Sequence, residues 1–145
     1  MSSLPKEVLN NLAERVGKIG NLIVGRRTYE LLGELPISQM TGVDRVVISH
    51  SLLNYNGVSA VASPVEALSH LKQRGFDIAF VGGGAQLASA FLSQGLVDEI
   101  YLNIYPLVSK GRTFAISENL ETNLELVGVD KLSNDIVQMH YRVRR

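Results

Sequence analysis

The sequence contains no cysteine, which excludes disulfides, thiolate metal sites and thiol catalysis and fits a reducing cytoplasm. Fourteen basic and fourteen acidic side chains cancel to zero formal charge, so no overall field draws the chain to nucleic acid or to an anionic membrane. No apolar run is long enough to cross a bilayer, and the charges in residues 1–18 do not fit a signal peptide. The sequence also shows no metal-ligand cluster and no paired nucleophile and base.

The composition predicts a single globular domain over residues 1–145. Hydrophobic residues make up 46% of the chain and there are only four prolines, which argues against disorder. We find no internal repeat, low-complexity tract or linker. The first half of the chain predicts alternating helices and buried strands. Helices are predicted from Leu4-Pro5 to a stop at Gly17 and Gly20, from Arg26 to about Leu35, and from an N-cap at Ser63 to a stop at Gly75. Strands are predicted at 22–24, 45–49 and 58–61.

The C-terminal third shows a different pattern. Apolar and polar side chains alternate from Asp98 to Tyr105, as in a strand with two different faces. Two further extended runs, 124–132 and 136–144, flank Ser133-Asn134-Asp135 and predict an antiparallel hairpin. The fold class is therefore α/β: a mainly parallel sheet flanked by helices, with an antiparallel C-terminal edge.

The most informative stretch is the apolar run 78–82, which passes through Gly82, Gly83 and Gly84 into a helical segment ending at Gly95. A strand that enters a helix through glycines exposes backbone N–H groups, and such groups bind anions. A Rossmann fingerprint is a weak match because Leu87 stands where a glycine is needed, and no Gly-Lys-Ser/Thr supports a P-loop. Tight strand–helix packing is the alternative explanation of the glycines.

A second strand-to-helix junction carries two cations. Gly25-Arg26-Arg27-Thr28-Tyr29-Glu30 follows a short apolar strand, and cations at a helix start are disfavoured by the helix dipole. Either the arginines are simply solvated, with Glu30 as an internal counter-charge, or they hold ligand phosphate together with Thr28. Two such junctions in one α/β domain suggest a dinucleotide.

These segments carry a family resemblance. In order along the chain they resemble the motifs of the dihydrofolate-reductase-like superfamily, and within it most of all the reductase domain of the bifunctional riboflavin-biosynthesis deaminase-reductase. The resemblance extends from about residue 4 to the C-terminus. The motifs are Asn21-Leu22-Ile23-Val24-Gly25-Arg26-Arg27-Thr28-Tyr29-Glu30, Val46-Val47-Ile48-Ser49, Val81-Gly82-Gly83-Gly84-Ala85-Gln86-Leu87 and Leu96-Val97-Asp98-Glu99-Ile100-Tyr101-Leu102.

The resemblance implies a three-layer fold, NADPH as cofactor and hydride transfer to a pterin-like or diaminopyrimidine-like ring. It also implies a role in riboflavin biosynthesis or a related reduction, and a homodimer. The phosphate end of NADPH would be held by Gly25, Arg26, Arg27 and Thr28, with Ser49 and His50 beside the 2'-phosphate or ribose. Val81, Gly82, Gly83, Gly84, Ala85, Gln86 and Leu87 would cover the pyrophosphate and approach the nicotinamide.

The chain also departs from the family. Members begin with a strand that lies between the counterparts of 78–82 and 98–105 and contributes to the active site, and this chain is expected to start after it. Two interior strands would then lack backbone partners. The two strands could pair directly, another segment or a partner chain could fill the gap, or the gene product could start upstream. A shortened, noncatalytic member that binds nucleotide or acts in assembly is therefore the alternative to an enzyme.

Candidate substrate-side residues are few. Pro5-Lys6-Glu7 resembles the family's Pro-x-Asp at a helix start, which makes Glu7 the candidate general acid. The register is imperfect, and the helix dipole alone favours a glutamate there. Tyr101, Asn103 and Tyr105 share one strand face and would line either a pocket or a half-buried sheet.

Overall fold

The computed structural model of the chain describes residues 5–32, 42–50, 58–82, 85–106 and 121–144. Its elements follow the predicted α/β order. They are α1 (Lys6–Ile19), β1 (Asn21–Gly25), α2 (Arg26–Leu32), β2 (Asp44–Ile48), β3 (Val58–Val61), α3 (Pro64–Gln73), α4 (Ala85–Ser93), β4 (Glu99–Ile104), β5 (Leu124–Lys131) and β6 (Val137–Val143).

The ends of α1 and α3 follow local sequence signals. Helix α1 continues through Gly17, the first of its two predicted stops, and ends at Ile19, capped by the second, Gly20, whose φ of 89° is left-handed. Helix α3 starts as predicted: the Ser63 side chain accepts a hydrogen bond from the Glu66 N–H at 3.2 Å. The Glu66 carboxylate in turn accepts from the Ala62 N–H. Gly20 thus ends α1, and the reciprocal bonds of Ser63 and Glu66 fix the start of α3.

The first sheet is parallel, in the order β1-β2-β3. Its register pairs Gly25 with Ile48 and Ile48 with Val61, so the carboxyl ends of the three strands lie at one edge. On the open side of β1, residue Val81 forms a parallel bridge with Ile23. The segment 79–82 therefore extends this sheet beyond β1, as the apolar run predicted.

Helices cover both faces of the parallel sheet. On one face, Val16 of α1 packs with Leu22, Val24 and Val47. On the other face, Phe91 of α4 and buried residues of α3 pack around Ile23 and Val46. Strand β1 is buried on both faces, as is typical of parallel sheets. This is the predicted three-layer arrangement.

Asn21 links β1 to the neighbouring segment through its side chain. The residue is fully buried. Its Nδ2 donates to the Ile78 carbonyl oxygen at 2.7 Å and its Oδ1 accepts from the Phe80 N–H at 2.9 Å. The Asn21 carboxamide thus makes the two hydrogen bonds that a backbone peptide group would make to the segment 78–80. These bonds lie on the amino-terminal side of the bridge between Ile23 and Val81. Sequence reasoning missed this role, although an asparagine at the start of an apolar strand is a polar residue that needs a partner.

The second sheet is antiparallel and has the order β4-β6-β5, so the predicted hairpin and two-faced strand are confirmed. One unpredicted feature is a β-bulge between Leu126 and Gly128. Cross-strand pairs such as Leu102–Met139 and Ile100–Tyr141 put the apolar side chains on a single face.

The opposite, polar face of this sheet meets α1. Gln138 is buried and accepts a hydrogen bond from the Arg15 guanidinium at 3.0 Å. Its amide nitrogen donates to Asn11 and to Asn103, each at 2.9 Å. Helix α1 therefore contacts the parallel sheet through apolar side chains and the antiparallel sheet through amides and a guanidinium.

Candidate functional site

The carboxyl edge of the parallel sheet brings together the ends of several predicted motifs. Gly25 ends β1, Ser49 follows β2, and Gly82 lies one residue beyond the bridge that pairs Val81 with Ile23. The carboxyl edge of such a sheet is where α/β proteins bind ligands. Helices α2 and α4 both begin at this edge, at Arg26 and Ala85.

The two arginines at the start of α2 differ in their surroundings. Arg26 Nε lies 3.2 Å from Glu30 Oε1, in an i,i+4 pair whose side chains are about half exposed. This is the internal counter-charge that the sequence suggested, and an exposed pair of this kind contributes little stability. Arg27 is exposed, and no described residue pairs with it. Within the described part of this edge, Arg27 is therefore a cation that is available to bind an anion.

Ser49 and His50 lie where the motif order predicted, directly after β2. The Ser49 N–H donates to the Val61 carbonyl oxygen at 2.9 Å and continues the β2–β3 ladder by one residue. His50 is exposed. Because β2 neighbours β1, both residues lie on the same edge as Gly25 and Arg27.

Gly25 and Gly82 have opposite surroundings. A Cβ added at Gly25 would meet nothing within 4 Å. A Cβ at Gly82 would lie 2.7 Å from Leu22 Cδ1 and 2.9 Å from Val24 Cγ1. Packing against β1 is therefore sufficient to explain Gly82, whereas Gly25 leaves open space in which a ligand can approach the backbone.

The other residues of the glycine motif, 81–87, lie partly in the core and partly at the surface, and some fall outside the described residues. Leu87 lies in the core cluster around Ile23, and partly buried Val81 packs against that cluster. Gln86, the second residue of α4, is exposed. The predicted contacts of Gly83 and Gly84 lie outside the described residues, and Ala85 is described only as the first residue of α4.

Glu7 lies in the first turn of α1 and is exposed. Since Gly20 turns the chain directly from α1 into β1, the helix runs back along the strand. Its start therefore lies toward the end of the sheet that carries Gly25. Glu7 thus lies toward the same end of the sheet as the candidate site, and its catalytic role stays a prediction.

A row of stacked and paired polar side chains lies on the antiparallel sheet, and the sequence predicted only Tyr101 among them. The Tyr101 ring stacks on His140 at 4.2 Å, and the Arg15 guanidinium lies 3.7 Å above Tyr101. His140 Nε2 lies 2.7 Å from Glu99 Oε1. Tyr105 is half-buried, and burial raises the pKa of its phenol. Of the candidates for a pocket wall, Tyr101 thus contacts α1 through Arg15, and Asn103 bonds to Gln138, which in turn bonds to Arg15 of α1.

Within the described ranges, no helix has the length and apolar character needed to cross a membrane. The same part of the chain contains no group of three or more His, Asp or Glu side chains arranged to hold a metal ion.

The parallel sheet with helices on both faces and the antiparallel C-terminal sheet are the arrangement of a dihydrofolate-reductase-like domain. The sequence model of the RibD C-terminal domain matches residues 19–138. The chain therefore belongs to the RibD C-terminal domain family, which confirms the resemblance.

Individual relatives agree with this assignment. The chain is 28% identical over 142 residues to the uncharacterized protein YyaP of Bacillus subtilis (strain 168), covering 87% of this chain and 75% of that protein. Its fold is similar to that of a putative riboflavin biosynthesis protein from Shewanella sp. PV-4, with a TM-score of 0.76 and 18% identity over 99% of this chain and 82% of the other. A pyrimidine reductase-like protein from Corynebacterium diphtheriae gives a TM-score of 0.77 and 16% identity over 98% and 83% of the two chains.

Proposed function

We propose that the protein is a cytoplasmic NADPH-dependent reductase acting on a pterin-like or diaminopyrimidine-like ring. Membership of the RibD C-terminal domain family supports this class of activity. The observation that carries the proposal is the edge at which Arg27, exposed and without a partner among the described residues, lies beside the open backbone of Gly25 and the end of β2. A cation next to unobstructed backbone at a helix start suits a phosphate ester.

The residues present fit a dinucleotide phosphate. Arg27 would hold the 2'-phosphate with Ser49 and His50 beside it, and the backbone at Gly25 would approach the pyrophosphate. NADPH, when bound, supplies the hydride. The chain's own contribution is to bind and orient the cofactor at this edge, with Glu7 at the start of α1 as the candidate proton donor to substrate.

Titration with NADPH, followed by a nicotinamide-oxidation assay, tests the proposal. The substrates are dihydrofolate and 5-amino-6-(5-phosphoribosylamino)uracil. We expect NADPH binding and oxidation with one of the two. Binding without oxidation would favour the noncatalytic nucleotide-binding alternative, and absence of binding would contradict both nucleotide functions.

We further propose that two copies associate through the apolar face of the antiparallel sheet. This face is directed away from α1, and its exposed fractions are 49% for Ile104, 51% for Leu126 and 54% for Val129. Cross-strand partners Met139 and Tyr141 continue it. A contiguous apolar patch on a sheet face is the kind of surface that a homodimer covers.

Replacing Val129 by lysine is expected to convert a dimer to a monomer. The side chain is exposed in the single chain, so the change places a charge in the proposed interface without disturbing the core. Sedimentation equilibrium measures the outcome. The neighbouring Asp130→Lys, on the opposite face of β5, is the matched control and should remain a dimer. A monomeric wild-type chain, or equal dissociation of both variants, would contradict the proposed interface.

A further inference from the structure

A chain of hydrogen bonds between α1 and the antiparallel sheet has a fixed direction. It begins at Arg15, whose guanidinium donates to Gln138 Oε1 at 3.0 Å. A guanidinium has donors and no acceptor, so the oxygen of the Gln138 carboxamide must face Arg15 and the nitrogen must face away. That nitrogen donates to Asn103 Oδ1 at 2.9 Å. The cation at Arg15 therefore sets the direction of both bonds around buried Gln138.

The chain continues to Tyr105, which directly follows β4. Because the Asn103 oxygen accepts from Gln138, the Asn103 nitrogen is the group that donates to its second partner, the Tyr105 phenol. Burial raises the pKa of this phenol, and the smaller effect of the Asn103 hydrogen bond lowers it. The phenol therefore stays protonated at neutral pH. Since its oxygen accepts from Asn103, its O–H is the group that continues the chain, which thus ends in a donor.

Helix α1 follows the same strand in the opposite direction. Asn11 accepts from Gln138 at 2.9 Å, at the level of Asn103. Arg15, one turn later in α1, lies 3.7 Å from the centre of the Tyr101 ring, two residues earlier in β4. Four helical residues advance about 6 Å, and two strand residues advance about 6.6 Å. The helix and the strand therefore stay in step along their contact.

One further turn toward the start of α1 brings Glu7 to the level of Tyr105. Glu7 lies four residues before Asn11, so both side chains leave the helix on the same side. Glu7 is exposed, and this end of α1 lies toward the end of the parallel sheet that carries Gly25. An ionised carboxylate only accepts hydrogen bonds. An acceptor on α1 and a donor after β4 thus lie at one level, at the end of the domain where the candidate site is.

We propose, resting on the proposed reductase function for the ring class of the ligand, that Tyr105 is a substrate-specificity residue whose O–H donates to a ring carbonyl oxygen while Glu7 accepts from the neighbouring ring N–H. A cyclic amide presents these two groups side by side, and pterin-like and uracil-type rings each contain one. A ring without the carbonyl leaves the Tyr105 donor unpaired and binds more weakly, because a site built around a hydrogen bond discriminates against ligands that cannot make it.

Two phenylalanine variants provide the test. Tyr105→Phe removes the hydroxyl and keeps the ring. Tyr101→Phe is the matched control on the same strand face, because the contacts of the Tyr101 ring with Arg15 and His140 do not use the hydroxyl. Isothermal titration without NADPH measures the binding of dihydrofolate and of 5-amino-6-(5-phosphoribosylamino)uracil to each chain. A separate titration measures the binding of NADPH, and thermal unfolding confirms that each variant is folded.

We expect Tyr105→Phe to bind the ring ligand at least about fivefold more weakly than the natural chain, the loss of roughly one hydrogen bond. Tyr101→Phe should stay within about twofold of the natural affinity, as should the NADPH affinity of both variants. A loss below about twofold in Tyr105→Phe, equal losses in the two variants, or binding of neither ring ligand by the natural chain would overturn the proposal.

The separate cofactor titration distinguishes this failure from failure of the reductase proposal. NADPH binding and oxidation together with equal ring affinity in the natural chain and Tyr105→Phe would contradict the role of Tyr105 alone. Ring binding that depends on Tyr105, in a chain that binds no NADPH, would contradict the reductase function and support the role of Tyr105.

Discussion

Replacing Arg26 and Arg27 together by alanine is expected to weaken NADPH binding about 100-fold and to change NADH binding little. Hydrogen bonds to charged groups contribute roughly 1.5–3 kcal/mol each, and a 100-fold loss corresponds to about 2.7 kcal/mol. Arg27, which has no partner among the described residues, should account for most of the loss. Arg26 already pairs with Glu30, so the single change Arg26→Ala should be the milder one.

The measurement is isothermal titration of both cofactors at one fixed ionic strength, since phosphate contacts weaken with salt. Arg74→Ala is the matched control: this exposed arginine pairs with Asp44, at the amino end of β2 and away from the proposed site. Its affinity for NADPH should equal that of the natural chain. Equal losses of NADPH and NADH in the double variant would contradict a 2'-phosphate contact.

Gly82→Ala is expected to lower the free energy of unfolding, and Gly25→Ala is expected to weaken NADPH binding without lowering that free energy. The added methyl at Gly82 meets Leu22 and Val24, both buried, at distances below 3 Å. Overpacking of this kind costs roughly 1–3 kcal/mol, and urea denaturation should show a loss of about 2 kcal/mol in the free energy of unfolding.

Gly25→Ala has open space and should leave the free energy of unfolding within about 0.5 kcal/mol of the natural value. If the pyrophosphate approaches this backbone, the same variant should bind NADPH at least tenfold more weakly. A stability loss at Gly25 equal to that at Gly82 would contradict the packing argument. Unchanged NADPH affinity in Gly25→Ala would contradict the proposed pyrophosphate contact.

The sequence was sufficient to predict those features of the fold that depend on residues close together in the chain. Ser63 predicts the start of α3 because its hydroxyl meets an N–H three residues later. The alternation in β4 and β6 predicts two-faced strands because side chains point to opposite sides in turn. The bulge after Leu126 was not predictable, since an extra residue in one strand is defined only by its partner.

The sequence predicted which strand ends meet at the candidate site, but not what surrounds each residue there. Motif order placed Gly25, Ser49 and Gly82 at one edge, because parallel strands end together. Sequence alone left two explanations for each glycine, and only the distances to Leu22 and Val24 separate Gly82 from Gly25. Leu87 is assigned to the cofactor by motif position, and its side chain packs in the core, so any cofactor contact there is a prediction about its backbone.

The carboxamide of Asn21 has a further consequence, for strand alignment. Four consecutive residues of β1 are buried, so the strand has no polar face that would penalise a shift of one residue against the segment 79–82. The side chain of Asn21 satisfies both the Ile78 oxygen and the Phe80 N–H only in the observed alignment. A slip in either direction would separate the carboxamide from both groups inside the core. One amide thus selects a single register for a strand whose apolar pattern would accept several.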